Sequence, residues 1–280
     1  MNLSEIKIVA DSSSDVFEFE GIPFASSPLK IITAQKEYVD NGKLDTESMV
    51  NELLCYSGKS TTACPSPSDW LDAFEDAKFV FCITITSNLS GSYNSALIAK
   101  EDYETQHPDR KVFVFDSLST GPEMKLIIEK FAELINLHLE FEEICRKVTS
   151  YSKETGLLFM LESMRNLANN GRVSHLTAKA AGLLGIRVVG KASDIGTLEV
   201  LDKCRGEKKA LRNILENMIK LGFKGGKVRI SHCFNLSAAQ SLESIITEAF
   251  PHALTEIYSA GGLVSFYAEK GGLLIGFEKN

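Results

Sequence analysis

The sequence is poor in the patterns that most often betray chemistry. Cys55, Cys64, Cys82, Cys145, Cys204 and Cys233 are scattered, with no CxxC pair and no Cys/His ligand spacing, which argues against a metal site or a disulfide framework. Several lie in apolar runs, where cysteine behaves as a small hydrophobe, so all six are read as reduced and buried. No apolar stretch approaches membrane-spanning length, and the N-terminus reaches Glu5 and Asp11 without a signal-like apolar core, so a soluble cytoplasmic protein is expected. Basic charge is also short. Thirty Lys and Arg against 37 Asp and Glu leave a formal charge of -7, which argues against nucleic acid as the partner. The chain contains no GxSxG elbow, no GxxxxGKS/T phosphate loop, no GxGxxG and no HExxH, so the common hydrolase, nucleotide and zinc-protease signatures are missing. There is no internal repeat and no low-complexity tract.

What is present is ordinary globular composition, 280 residues with 44% hydrophobic and 24% charged, enough for one large or two modest domains. Its most telling stretch is FVFCITITSNLSGSYNSA, residues 79–96. An apolar run suited to a strand buried on both faces passes into a turn of hydroxyls and glycine, and Leu89, Tyr93, Ala96 and Leu97 then recur at helical spacing. Such a turn at the carboxyl end of a parallel strand offers hydroxyls and backbone N–H groups to an oxygen-rich ligand. It carries no Lys, Arg or acid, which suits holding a ligand better than ionising one.

Alternation of strands and helices organises the first half. Strands are expected at Ile6–Ala10, Pro28–Ile32, Phe79–Ile85 and Val112–Phe115. Helices are expected from Asp45, as cap, to Cys55, from Ser68 to Ala77, from Thr120, with Glu123 in capping-box spacing, to Leu139, and from Phe141 to Ser152. This pattern implies a parallel sheet. Beyond it, Leu157–Leu161, a helix near 177–184, hairpin-like strands at Arg187–Lys191 and Thr197–Asp202, helices at Glu207–Leu221 and Ser237–Ala249, and strands at Val228–Ser231, Leu254–Tyr258 and Leu273–Phe277 suggest a mixed sheet. The fold class is therefore α/β, with an N-terminal parallel-sheet α/β domain (1–155) and a C-terminal α+β domain (156–280).

DSSSDV after the first strand, TACPSP before a helix, SNLSGSYNSA after the central strand, DSLSTG after the next, and LESMRNLANNGRVSHLTAKAAGLLGIRVVGK occur in this order. In order and spacing they resemble the DegV family of fatty-acid-binding proteins over essentially the whole chain, and KCRGEKKAL and the closing GGLLIGF fit as well. The resemblance implies two domains that enclose an acyl chain. It also implies a carboxyl group held by hydroxyls from the TSQPSP-like and SGTYxSA-like segments, here Thr62 and Ser90, with the backbone of Gly91. A carboxyl can accept such donors without a buried cation. The partners implied are a long-chain fatty acid and the catalytic subunit of a fatty acid kinase, with transient membrane contact, no cofactor and no catalytic residue. The chain would be a carrier, not an enzyme.

By the same resemblance Arg172 and Arg205 flank the carboxyl entrance or dock a partner, while Lys208 and Lys209 read equally as a solvated helix start. Leu157, Leu158, Phe159, Met160, Leu161, Leu183, Leu184 and Ile186 are candidates for the tunnel wall; each alone also reads as plain core. Thr62, Ser66 and Ser90 read alternatively as turn and capping residues. His232 has no acid at useful spacing and reads as structural. Two positions depart from the family pattern. Ala268 falls where the family carries a His in a HxGPGAL-like segment, and Ala63-Cys64 replace the Ser-Gln of TSQP. A hydrolase or phosphotransferase using Ser90 or Asp11, or a lipid-responsive regulator, remain the alternatives.

Overall fold

The first apolar run, Ile6–Asp11 (β1), pairs in parallel with Phe24–Ser27 (β2) on one side and Phe79–Thr84 (β6) on the other, and β6 pairs in parallel with Lys111–Asp116 (β7). The computed structural model describes residues 2–175 and 185–279; the helix expected near 177–184, with Leu183 and Leu184, lies outside the described residues. Side-chain alternation explains why β6 is apolar throughout. Phe81 and Ile83 turn to one face with Ile8, Ala10 and Phe115, whereas Val80 and Cys82 turn to the other with Val9, Val112 and Val114. Helices α2 (Pro67–Phe74) and α3 (Ser92–Gln106) cover the second face; α4 (Gly121–Asn136) and α5 (Phe141–Tyr151) cover the first.

Lys30–Ile32 (β3), Glu37–Val39 (β4) and Thr61–Ala63 (β5) form a small antiparallel sheet in the order β4-β3-β5. Only β3 was foreseen, because three-residue strands broken by polar positions show no period. Helix α1 (Thr46–Cys55) starts as expected, with Asp45 accepting the Ser48 N–H at 2.9 Å. Helix α2 is capped by Ser66, whose side chain and that of Asp69 form a reciprocal capping box ahead of Pro67, so the capping reading of Ser66 holds. The box expected at the start of α4 does not form. Thr120 turns its hydroxyl to the Ser13 carbonyl, and Glu123 is buried against the Thr155 hydroxyl.

The second sheet is mixed, in the order β10-β9-β8-β13-β11-β12, from Thr155–Leu161 (β8), Ile186–Ala192 (β9), Leu198–Arg205 (β10), Lys227–His232 (β11), Leu254–Ser259 (β12) and Leu273–Glu278 (β13). Leu158, Met160, Leu273, Ile275 and Phe277 pack under α7 (Glu207–Lys220) and α8 (Leu236–Ala249). On the opposite face, Gly276 lets the first turn of α4 reach the sheet, since a Cβ there would lie 2.5 Å from the Glu123 nitrogen. Helix α4 thereby packs between the two sheets, and Arg229 of β11 donates bidentately to Glu129 of α4 at 2.7 and 2.8 Å. The short helices α6 (Arg165–Asn169) and α9 (Gly262–Ala268) complete the layer beside the small sheet.

The cysteines are free, but not all are buried: Cys55 is exposed, and Cys64 and Cys145 are half-buried. Among the described residues no helix is long and apolar enough to cross a membrane.

Candidate functional site

The loops at the carboxyl ends of β6 and β7 face the side of β8 turned away from α7 and α8, and between them lies a cavity of about 330 Å³. Alternation along β8 decides its wall. Leu157, Phe159 and Leu161 line the cavity, whereas Leu158 and Met160, on the other face, belong to the core under α7 and α8. Those two and Ile186, expected in the tunnel, do not line it. Leu118, Leu263, Val264 and Leu274 extend the apolar wall from the N-terminal loops, α9 and β13.

Thr62, Ser90, Gly91 and Arg172 line this one cavity although they come from distant parts of the chain. Asp11 is what holds the Ser90 turn. Wholly buried at the end of β1, it accepts the Ser13 N–H and hydroxyl, the Ile85 N–H at 2.9 Å and the Ser92 hydroxyl at 2.6 Å. Burial pushes its carboxyl above the usual range, while the donors around it pull the other way. Gly91, not Ser90, occupies the N-cap position of α3. The Ser90 oxygen accepts the Ser92 N–H at 3.3 Å, which leaves its own proton to donate. The Ser95 hydroxyl donates to the Pro65 carbonyl at 2.7 Å, and a Cβ on Gly91 would stand 3.2 Å from the Cys64 sulfur, so the TACP segment and the Ser90 turn touch.

Charge reaches the turn from elsewhere in the chain. Gly171, at φ +73°, closes α6: its N–H reaches the Ala168 carbonyl and the Arg172 N–H reaches that of Leu167, the paired bonds of a glycine helix stop. The chain then leaves so that the Arg172 Nε donates to the Leu89 carbonyl at 3.1 Å, with a second donation to the Asn170 carbonyl. Thr62, on the edge strand β5, shares a 2.7 Å hydrogen bond with the hydroxyl of Tyr267. Burial raises the Tyr267 phenol, with the Thr62 bond and the Arg172 charge working against it. Sequence reasoning passed over Tyr267, as it did the wall residues Leu118, Leu263, Val264 and Leu274. Ala268 beside it also lines the cavity, as does Cys64, whose thiol is pushed up by burial. Arg205 is different: it ends β10 exposed, near Lys203, Lys208 and Lys209, and does not line the cavity.

His232 is buried at the end of β11 with no partner for Nδ1 among the described residues, and it does not line the cavity. Among the described residues no histidine does.

The model of the DegV family matches residues 5–280. The chain belongs to the DegV family. A DegV domain-containing protein of Streptococcus pneumoniae is 45% identical over 276 residues, 97% of this chain and 98% of that protein. One of Streptococcus gordonii is 43% identical over the same length, again covering 97% and 98%. Among solved structures, a DegV family protein from Eubacterium eligens loaded with heptadecanoic acid superposes with a TM-score of 0.97 at 43% identity, covering 98% of this chain and 100% of that one. The Streptococcus pneumoniae fatty acid kinase (Fak) B3 protein, loaded with linoleic acid, superposes with a TM-score of 0.96 at 44% identity, covering 98% and 99%. The parallel N-terminal sheet and mixed C-terminal sheet expected from the sequence are those of DegV structures.

Proposed function

We propose that this DegV protein binds a long-chain fatty acid in the cavity and presents it, in the cytoplasm, to the catalytic subunit of a fatty acid kinase, itself performing no chemistry. The carboxylate is held by the hydroxyls of Thr62 and Ser90 and the backbone N–H of Gly91, with Arg172 beside them. Arg205 and the lysines around it face the partner. The two sheets correspond to two domains divided at 155/156, with the acyl chain between them.

One observation carries the reading: an apolar-walled cavity in which hydroxyls from β5 and the Ser90 turn come together with a fixed guanidinium. Roughly fourteen buried methylenes at about 0.8 kcal/mol each contribute on the order of 11 kcal/mol gross, so the wall sets affinity. Hydroxyl contacts add only about 1 kcal/mol each net, but an unpaired head group in a dry site costs more, so they set orientation. The fatty acids bound by the Eubacterium eligens and Fak B3 proteins support the ligand class, and the latter's name supports the kinase. A hydrolytic or phosphotransfer role for Asp11 gains no support, because both its oxygens already accept donors of the protein.

Organic extraction of the purified protein followed by mass spectrometry is expected to release a stoichiometric long-chain fatty acid, and a fatty acid kinase catalytic subunit with ATP is expected to convert it to the acyl phosphate. Protein that is lipid-free and takes up no added palmitate would refute the binding. Substituting Thr62→Val with Ser90→Ala is expected to weaken palmitate binding by about tenfold or more.

A further inference from the structure

Thr62 sits on an edge strand of three residues, and its side chain is a rotor whose proton can point several ways. A head-group ligand needs that proton aimed at the carboxylate. Among the described residues the partner of the rotor is Tyr267, in the last turn of α9, 205 residues further along the chain and 2.7 Å away. Between two hydroxyls one proton makes the bond and the other is left over. When Tyr267 donates to the Thr62 oxygen, the Thr62 proton turns away from it and is available to the cavity that both residues line.

We infer that Tyr267 is the positioning residue of the carboxyl site, donating to Thr62 so that the Thr62 hydroxyl is held as a donor to the bound carboxylate. The inference rests on the fatty-acid reading and deepens it. Two features favour this direction of donation, and a third holds the ring in place. A phenol is a stronger donor than an aliphatic hydroxyl, and a chain running from phenol to hydroxyl to carboxylate strengthens each bond in turn. The Tyr267 ring is held at its other side by an edge-on contact with Phe266, centroids 4.9 Å apart, so the phenol oxygen is not free to swing. Arg172, tied to the Leu89 and Asn170 carbonyls, keeps its positive charge near Tyr267, which favours a polarised phenol O–H.

The arrangement also accounts for the wall at Ala268. Its methyl side chain is buried among Leu157, Phe159, Leu161 and Leu274, and the polar function of α9 at the cavity is carried one residue earlier. The site thus obtains a preorganised donor without a titrating group at position 268.

Tyr267→Phe removes the phenol oxygen and keeps the ring, so without ligand it is expected to lose no more stability than the one hydrogen bond to Thr62 is worth. Palmitate binding is expected to weaken about fivefold, the worth of one net hydrogen bond, while binding of methyl palmitate, which has no carboxylate, changes less than twofold. In a Thr62→Val background the same substitution is expected to cost nothing further. The carboxyl resonance of bound palmitate labelled with carbon-13 at C1 is expected to titrate at higher pH in Tyr267→Phe, because Thr62, the donor to the charged form, is no longer held in that orientation. An equal loss for palmitate and its methyl ester, or the same fivefold loss in the Thr62→Val background, overturns the pairing while leaving fatty-acid binding intact. Absence of palmitate binding by the unaltered protein overturns the fatty-acid reading and the pairing with it.

Discussion

Gly190, in the middle of β9, pairs with Phe159 of β8, and a Cβ there would overlap the Phe159 ring and come within 2.5 Å of the Glu199 carbonyl oxygen. Mid-strand glycine ordinarily weakens a sheet, so its presence marks a close approach. The ring it accommodates is part of the cavity wall. Gly190→Ala is expected to cost about 1–3 kcal/mol by overpacking and to drive the ring into the cavity, shifting preference from palmitate toward laurate in a competition assay. Unchanged stability and selectivity would show that the ring has room to move elsewhere. At this scale the site was partly legible. Thr62 and Ser90 stood out through the resemblance of their segments to the DegV pattern, local sequence alone favouring turn and capping roles, and Arg172 through that resemblance and its glycine turn. Tyr267 did not, since an aromatic in the apolar run Leu263–Ala268 reads as packing, and its contact with Thr62 spans 205 residues. The uncharged turn was legible as written, yet the charges that serve it, Asp11 below and Arg172 alongside, arrive from other segments.

The β9–β10 hairpin closes one side of the cavity, and its turn is fixed by backbone bonds from the Ser193 N–H to the Thr197 carbonyl and from the Gly196 N–H to the Ser193 carbonyl. Gly196 at φ +75° lies so close to the loop after β7 that a Cβ would stand 2.9 Å from the Leu118 Cα and overlap the Thr86 hydroxyl. Asn88 adds a 2.6 Å donation to the Ile195 carbonyl. Gly196→Ala therefore meets both an unfavourable backbone region and a steric block. It is expected to destabilise by about 1–3 kcal/mol and to speed fatty-acid release, read as transfer of a fluorescent fatty acid from the protein to lipid vesicles; unaltered release would mean that the hairpin is no barrier. Elements of this size were legible where local rules act alone, as at the Asp45 and Ser66 caps. They were illegible where tertiary contacts override them. At the start of α4, Glu123 leaves its cap for Thr155, and within β8 a continuous apolar run does not say which face meets a cavity. Period two assigns Leu157, Phe159 and Leu161 to one face; only the helices packed on the other reveal which face that is.

Across the whole molecule the halves are joined by carboxylates that sit in one half and accept donors from the other, Asp40 and Glu123 buried and Asp15 half-buried. Asp15 takes the Gly261 N–H at 2.8 Å and the Ser231 hydroxyl at 2.9 Å, Asp40 takes the Gly262 and Leu263 N–H groups at 2.8 and 2.9 Å, and Glu123 takes the Thr155 hydroxyl at 2.7 Å. Desolvation raises all three, and pushes Asp15 up to about 8, with Asp40 adding repulsion and Lys125 opposing it. Because the folded protein holds protons that the unfolded chain releases above about pH 4, stability is fullest below that pH as far as these groups are concerned. It declines as pH rises toward the folded value of Asp15. The parent protein is accordingly expected to unfold at a lower temperature at pH 8.5 than at pH 5.5. Asp15→Asn keeps an acceptor for Gly261 and removes the ionisation, so the difference between the two pH values should shrink in that variant. Equal pH dependence in parent and variant would mean that Asp15 is already ionised in the fold. Since Asp15 and Asp40 accept the N–H groups of the residues that open α9, and α9 carries Leu263, Val264, Tyr267 and Ala268 into the cavity, the same carboxyls that join the halves also hold one wall of the binding site in place.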